Sequence, residues 1–172
     1  MSRRVYLTGV GPVSGLGLGI KANWDGLRAG ASALAPVRAF DASAIGSPIA
    51  GEIEEGFKVR AHVPKSYRKA TKVMARDIEL AVAAADLAAR DAGLVTKGTD
   101  PDGTPSYAPD RVGCHIGAGL IAADLDELTA ALVTSADADP ESFDIHEWGR
   151  EGMNHLTPLW LLKFLEVVVL AN

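Results

Sequence analysis

Apolar positions along this chain follow two different periods. From Ser66 to Ala92 they fall at Met74, Ile78, Ala81, Val82, Ala85 and Ala89, while Arg76, Glu79, Asp86 and Arg90 lie largely off that stripe. Spacing of three and four residues puts side chains on one face of a helix, and Gly93 follows where a helix end favours a left-handed glycine. The pattern predicts a helix across 66–92. Seven of the twelve residues from 81 to 92 are alanine. So thin a face admits the close approach of another backbone, and the helix is expected to lie between other elements.

Shorter segments flank it. Gly19 to Ala29 predicts a helix with Ile20, Trp24 and Leu27 on one stripe and Gly30 as its stop. Ala123 to Ser135 predicts another. Two strand-like runs stand apart: the apolar stretch around Val5 to Thr8, and Arg111 to Ile116, closed by Gly117-Ala118-Gly119. Parallel strands need a crossover of a dozen residues or more, which the alanine-rich helix supplies, so both strands are expected in one sheet of an α/β domain. Residues 31–65 read as irregular apart from a short strand at Ile49 to Ile53, and Thr96 to Pro109 and Ala136 to Gly152 read as loops. Leu156 to Ala171 reads as an apolar core element. Lys163 and Glu166 interrupt it, and it falls short of the roughly 20 residues that span a bilayer.

Composition narrows the class further. With 172 residues, 48% hydrophobic and 23% charged, the chain suits one domain with a core of its own. A formal charge of −5 without a basic tract argues against a nucleic-acid partner. One cysteine allows neither an internal disulfide nor a zinc cluster, which fits a reducing, cytoplasmic setting. Arg3-Arg4 before an apolar stretch resembles an export signal only superficially, because Gly9, Gly11, Pro12 and Gly15 break the stretch.

The loop Gly9-Val10-Gly11-Pro12-Val13-Ser14-Gly15 raises the question of nucleotide binding. A dinucleotide fingerprint requires a third glycine at Ser14, the short-chain dehydrogenase variant requires one at Val13, and Pro12 removes a donor that an anion would need. His146-Glu147 opens a metalloprotease-like motif, but Arg150 stands where its second histidine belongs. Cys114 sits inside an apolar strand pattern and is expected to be a buried, inert thiol, with His115 turned to the opposite face. Asp124, Asp126 and Glu127 fall at a predicted helix start, where the dipole favours carboxylates without any catalytic role. The residues alone therefore give an α/β domain with no complete catalytic constellation, no metal site and no cofactor site.

Four segments carry a resemblance. RRVYLTGVGPVSGLG (3–17), FDASAIGSPIAGEI (40–53), KVMARDIELAVAAADLAARDAGL (72–94) and RVGCHIGAGL (111–120) stand in the order and spacing of the N-terminal half of β-ketoacyl-acyl carrier protein synthases. Those are the condensing enzymes of fatty acid and polyketide synthesis. The resemblance implies a thiolase-like fold, here a partial N-terminal half of a layered α/β structure with a mixed sheet, in which residues 1–172 form one incomplete N-terminal domain. It implies that the glycine loop shapes the core near an active site and holds no nucleotide. Acyl carrier protein, and a complementary ketosynthase half or dimer partner, are the implied partners, and no cofactor is implied.

The family condenses through a cysteine in an Ala-Cys-Ser/Ala motif at a helix N-terminus and two histidines, one in H-G-T-x-T; none of these motifs occurs in this chain. The implied activity is decarboxylative Claisen condensation, with this chain as its front portion, incompetent alone. Leu120, just past the glycine pair, is implied to line the acyl channel. After Leu165 the family pattern gives way to Glu166-Val167-Val168-Val169-Leu170, so residues 166–172 depart from it. Two other readings are a non-catalytic partner of the chain-length-factor type and a degenerate nucleotide-binding oxidoreductase domain.

Overall fold

The computed structural model describes residues 4–117, 123, 125–136 and 142–160. They divide into two compact units, Met1–Lys69 with Leu80–Gly113, and Ala70–Glu79 with Cys114–Asn172.

In the first unit, β1 (Val13–Ser14) and β2 (Gly17–Leu18) form a tight antiparallel turn that feeds directly into α1 (Gly19–Arg28). Gly17 and Gly19 take positive φ there, at 126° and 80°, which a side chain would resist. The buried amide of Asn23 fastens the turn to the helix. Its Nδ2 donates to the carbonyls of Gly17 and Gly19, both at 2.9 Å, and its Oδ1 accepts from Ser14 Oγ at 2.5 Å. The predicted helix over 19–29 is thus present, and Gly30 ends it at φ 66°. The strand expected at 49–53 is present as β4 (Ile49–Gly51). It pairs antiparallel with β3 (Leu34–Pro36), which the sequence pattern leaves unmarked.

The long helix is shorter than its pattern. Residues 65–67 and 70–73 form 3₁₀ turns, and α2 runs from Arg76 to Asp91. The segment ahead of it carries Lys65, Arg68, Lys69 and Lys72, cations that the positive end of a helix dipole disfavours, whereas Asp77 and Glu79 supply an acidic first turn where α2 starts. Its other end matches expectation. Gly93 is left-handed at φ 64°, Leu94 N–H reaches back to Ala89 O at 2.9 Å, and Gly93 N–H to Arg90 O at 3.0 Å, the paired bonds of a Schellman cap.

In the second unit, α3 (Leu125–Thr134) packs with α4 (Ile145–Arg150) and the turn Gly152–His155. Ala131 and Ser135 are buried at their contact, with Ser135 Oγ donating to Ala131 O at 2.7 Å. Gly152 lies against Ser135 Oγ and Ala131 O, leaving no space for a side chain. Helix α4 occupies part of the predicted loop 136–152. Its signal is Asp144 three residues before Glu147: the Asp144 carboxylate accepts from His146 N–H at 2.7 Å and Glu147 N–H at 3.3 Å.

Two expectations are overturned. Neither the Val5 stretch nor Arg111–Ile116 forms a strand, and no parallel sheet joins them among the described residues. Val5 is 90% exposed, Leu7 85% and Val112 61%. A strand satisfies its N–H and C=O groups only through a neighbour, and the strand pairs present, β1 with β2 and β3 with β4, involve neither segment. Cys114 is consequently exposed, not buried in a sheet. Of the predicted core element at 156–171, only Leu156 to Trp160 lies within the described residues. Among the described residues no helix is long and apolar enough to cross a membrane.

Candidate functional site

The glycine loop and the alanine face of α2 fit each other. A Cβ on Gly9 would meet Ala88 O, with Ala92 N at 2.6 Å and Ala92 Cβ at 2.7 Å; one on Gly11 would meet Ala84 O, with Ala88 N at 2.5 Å. The thin helix face therefore receives a bare backbone, as the alanine content predicts. The obstacle at both positions is helix backbone, which cannot swing aside as a long side chain can.

Several donors in and beside this loop are already committed. Val10 N–H donates to Asp91 Oδ2 at 2.9 Å, Leu16 N–H to Ser14 Oγ at 3.1 Å and Gly19 N–H to Pro12 O at 2.8 Å, while Pro12 has none to give. A phosphate cradle needs free N–H groups converging on an anion. Here a carboxylate of the chain itself occupies the N–H of Val10, and Pro12 offers none, which argues against the nucleotide reading.

A second polar cluster in the first unit escapes the sequence patterns. Asp86, on α2 and 7% exposed, accepts from Arg90 Nε at 2.9 Å and lies 3.0 Å from His62 Nδ1. Arg90 Nη1 reaches Thr99 O at 3.4 Å, and the His62 ring stacks on Phe57 at 6.0 Å between centroids. Asp86 and Arg90, four apart on one helix, are the only part of this cluster with a local signal. His62 arrives from 24 residues away. The cluster ties the 3₁₀ turn Val59–Ala61, whose Val59 is buried, to the helix and to the loop after it.

A third feature is an open hollow of about 350 Å³ floored by Gly15, Ala33, Ala35 and Ala50. Glu52 at its side accepts from Arg38 N–H at 3.1 Å, Ala39 N–H at 2.9 Å and Arg38 Nε at 3.1 Å. The backbone N–H of Arg38 foremost, then that of Ala39 and the guanidinium, hold the Glu52 carboxyl below the usual carboxylate range.

None of the candidate residues forms a catalytic constellation. Cys114 and His115 stand exposed in an irregular stretch. His146 lies in the first turn of α4, and His155 Nε2 is 3.0 Å from Thr134 Oγ1. Asp126 and Glu127 fall in the first turn of α3. Leu120 and Asp124 lie outside the described residues. Among the described residues no group of three His, Cys, Asp or Glu side chains is placed to hold a metal ion.

Comparison with known proteins gives the arrangement its context. Residues 2–155 match the family described as beta-ketoacyl synthase, N-terminal domain. A protein of Streptomyces violaceoruber designated granaticin polyketide beta-ketoacyl synthase 1 is 37% identical over 162 residues, covering 92% of this chain and 33% of that protein. The 3-oxoacyl-[acyl-carrier-protein] synthase 2 of Coxiella burnetii is 37% identical over 118 residues, 69% of this chain and 26% of its own length. Among solved structures, the ishigamide ketosynthase/chain length factor superposes with a TM-score of 0.56 at 27% identity, over 95% of this chain and 34% of that one. The chain thus spans about a third or less of the relatives it matches, and its partial, mixed α/β architecture is thiolase-like. Glycines seated on an alanine helix and a family match over residues 2–155 agree: this chain belongs to the β-ketoacyl synthase family, as part of its N-terminal domain.

Proposed function

We propose that the chain supplies the front portion of a 3-oxoacyl-[acyl-carrier-protein] synthase, which elongates fatty acid or polyketide chains by decarboxylative Claisen condensation. The observation that carries this reading is the 37% identity to the granaticin β-ketoacyl synthase over 92% of the chain. In that reaction an acyl group is held as a cysteine thioester, a malonyl unit on a carrier protein loses carbon dioxide, and the resulting carbanion attacks the thioester carbonyl and expels the thiolate. On this reading the chain does not supply the thioester acceptor, because its one cysteine, Cys114, lies in an exposed irregular segment and not in the first turn of a helix. Its part is structural: the glycine loop, the alanine face of α2 and the His62–Asp86–Arg90 cluster fix a scaffold on which the reacting groups are mounted from elsewhere in the protein. Acyl carrier protein and a complementary ketosynthase portion or subunit are the partners this role requires, in a cytoplasmic setting and without a cofactor.

Reading the gene past the Asn172 codon tests the proposal. An Ala-Cys-Ser/Ala motif about one strand further on supports it. An open frame that continues through the family's length without that cysteine contradicts it, and favours the non-catalytic partner of the chain-length-factor type, a reading that the ketosynthase/chain length factor match also accommodates. Within the complete enzyme, Leu120 is proposed to border the acyl channel, so Leu120→Ala should lengthen the product. Unchanged product length with a lower melting temperature would mark it as a packing residue only.

A further inference from the structure

The loop after α2 carries a dipeptide with chemistry of its own. In Asp102-Gly103 the backbone nitrogen of Gly103 follows a carboxyl that it can attack, because glycine has no Cβ to block the approach. The nitrogen bonds to Asp102 Cγ, and the N–H hydrogen and the hydroxyl of the protonated carboxyl leave as water, closing a five-membered imide. Water then opens the imide at one of its two carbonyls. Opening at Cγ restores aspartate. Opening at the main-chain carbonyl leaves the chain running through Cγ, as isoaspartate, with its mass unchanged and one more methylene in the backbone. Asp100, two residues earlier, has no such route, since Pro101 has no N–H to lose.

The attacking atom is already engaged. Residues 100–103 form a turn with Pro101 second and glycine fourth, and Gly103 N–H donates both to Asp100 O at 3.3 Å and to Asp100 Oδ1 at 3.1 Å. Asp102 N–H donates to the same Oδ1 at 3.3 Å. The Asp100 carboxylate lies so close that a Cβ on Gly103 would come within 2.8 Å of Asp100 Cγ, and as near to Val95 Cγ1. The residue that makes the pair reactive is therefore also the one the turn requires. The loop is clasped at its base as well, where Val95 N–H donates to Ser106 Oγ at 2.8 Å and Ser106 N–H returns to Val95 O at 2.9 Å.

We propose that Asp102-Gly103 is a latent isoaspartate site, held closed by Asp100. Ring closure needs the Gly103 nitrogen to shed its hydrogen while the backbone rotates at Asp102. With that N–H bound to Asp100, a carboxylate keeps the hydrogen in place, and any rotation of the Asp102–Gly103 peptide group breaks two bonds at once.

Warm incubation of the purified 172-residue chain, followed by brief trypsin digestion and isoaspartyl methyltransferase labelling, tests this, with circular dichroism to confirm that each variant folds. Trypsin releases residues 98–111 as one peptide; the chain's other Asp-Gly pair, Asp25-Gly26 within α1, falls on a different one. The free 98–111 peptide, incubated alongside, should form isoaspartate at 102 at least about tenfold faster than the folded chain, since it lacks both bonds to Gly103 N–H. Asp100→Ala removes Oδ1 but keeps the turn carbonyl, and should raise the folded chain's rate about fivefold. Asp100→Asn, whose side-chain oxygen can accept the same N–H, should stay within about twofold of the unsubstituted chain. A folded chain that isomerises as fast as the free peptide overturns the proposal, and that comparison needs no variant to fold. So does an Asp100→Ala rate equal to that of the unsubstituted chain, and so does a free peptide that forms no isoaspartate at all.

Discussion

Residues 5–7 and residues 9–11 are neighbours in the chain and opposites in the fold. Around Gly9 and Gly11 the backbone is pressed onto α2 so closely that a single methyl group has no place, and Val10 N–H is bound to Asp91. Val5 and Leu7, with more apolar side chains and stronger β preference, stand 90% and 85% exposed. The difference lies in what each needs. A loop resting on a helix requires only that the helix exist, and α2 makes its own backbone bonds. A strand requires another strand, and among the described residues these have none. Intrinsic preference thus decided less than the availability of a partner.

The sharpest way to break this contrast is to add bulk on both sides of it. Gly11→Val drives a branched side chain into the backbone of α2 at Ala84 and Ala88 and should cost about 3 kcal/mol or more in urea unfolding, with Gly9→Ala somewhat less. Gly113→Ala, where nothing lies within 4 Å and φ is not positive, should stay within about 0.5 kcal/mol. Equal effects at Gly11 and Gly113 would mean that the loop is not seated on the helix.

A middle-sized effect is expected at the polar cluster. Asp86→Ala leaves Arg90 and His62 without the carboxylate they share and should cost about 1–3 kcal/mol, because that carboxylate is nearly closed to water. His62→Ala should cost less, since the Asp86–Arg90 pair survives it. The urea midpoints of the two variants give the order directly, and a reversed order would show that His62 acts mainly through its stacking on Phe57.

On the exposed side, Val5→Ser and Leu7→Ser should leave the stability of the dilute chain within about 0.5 kcal/mol of its starting value. A large loss at either position would place the segment inside a sheet after all. The smallest effect belongs to the Asp144 cap. Backbone N–H bonds from His146 first, and then Glu147, hold its carboxyl below the ordinary range. A lowered folded value means that the cap stabilises α4 fully above the usual carboxylate range and loses that contribution as pH falls through the lowered value. Amide exchange in α4 should therefore show a pH-dependent difference between the unsubstituted chain and Asp144→Ala that narrows in acid. A difference that widens in acid would contradict this sign.

What the sequence made legible follows the same division. The span of α1 and the Schellman end of α2 carry local signals, namely apolar spacing and a glycine in the right place, and both were readable. The alanine run announced a close backbone neighbour, and Gly9 and Gly11 proved to be that neighbour. The apolar period runs on ahead of α2 through residues whose positive charges disfavour a helix N-terminus, so period alone overextends the helix. Helix α4 escapes a periodicity reading because six residues hold less than two turns, although Asp144 and Glu147 mark its start. Composition at Val5 and Val112 is strand-like, yet pairing depends on groups far away in sequence. His62 joining Asp86 lies in the same class, a contact that no local window contains.

If this chain is scaffold without an acyl acceptor, as proposed, intact-protein mass spectrometry reads it directly. The purified 172-residue chain, incubated under native conditions with a long-chain acyl-acyl carrier protein, should keep its unmodified mass, with Cys114 remaining a free thiol open to alkylation. A stoichiometric acyl adduct that peptide mapping places on Cys114 would contradict the claim, because it would show an activated nucleophile where the fold provides only an exposed, irregular segment.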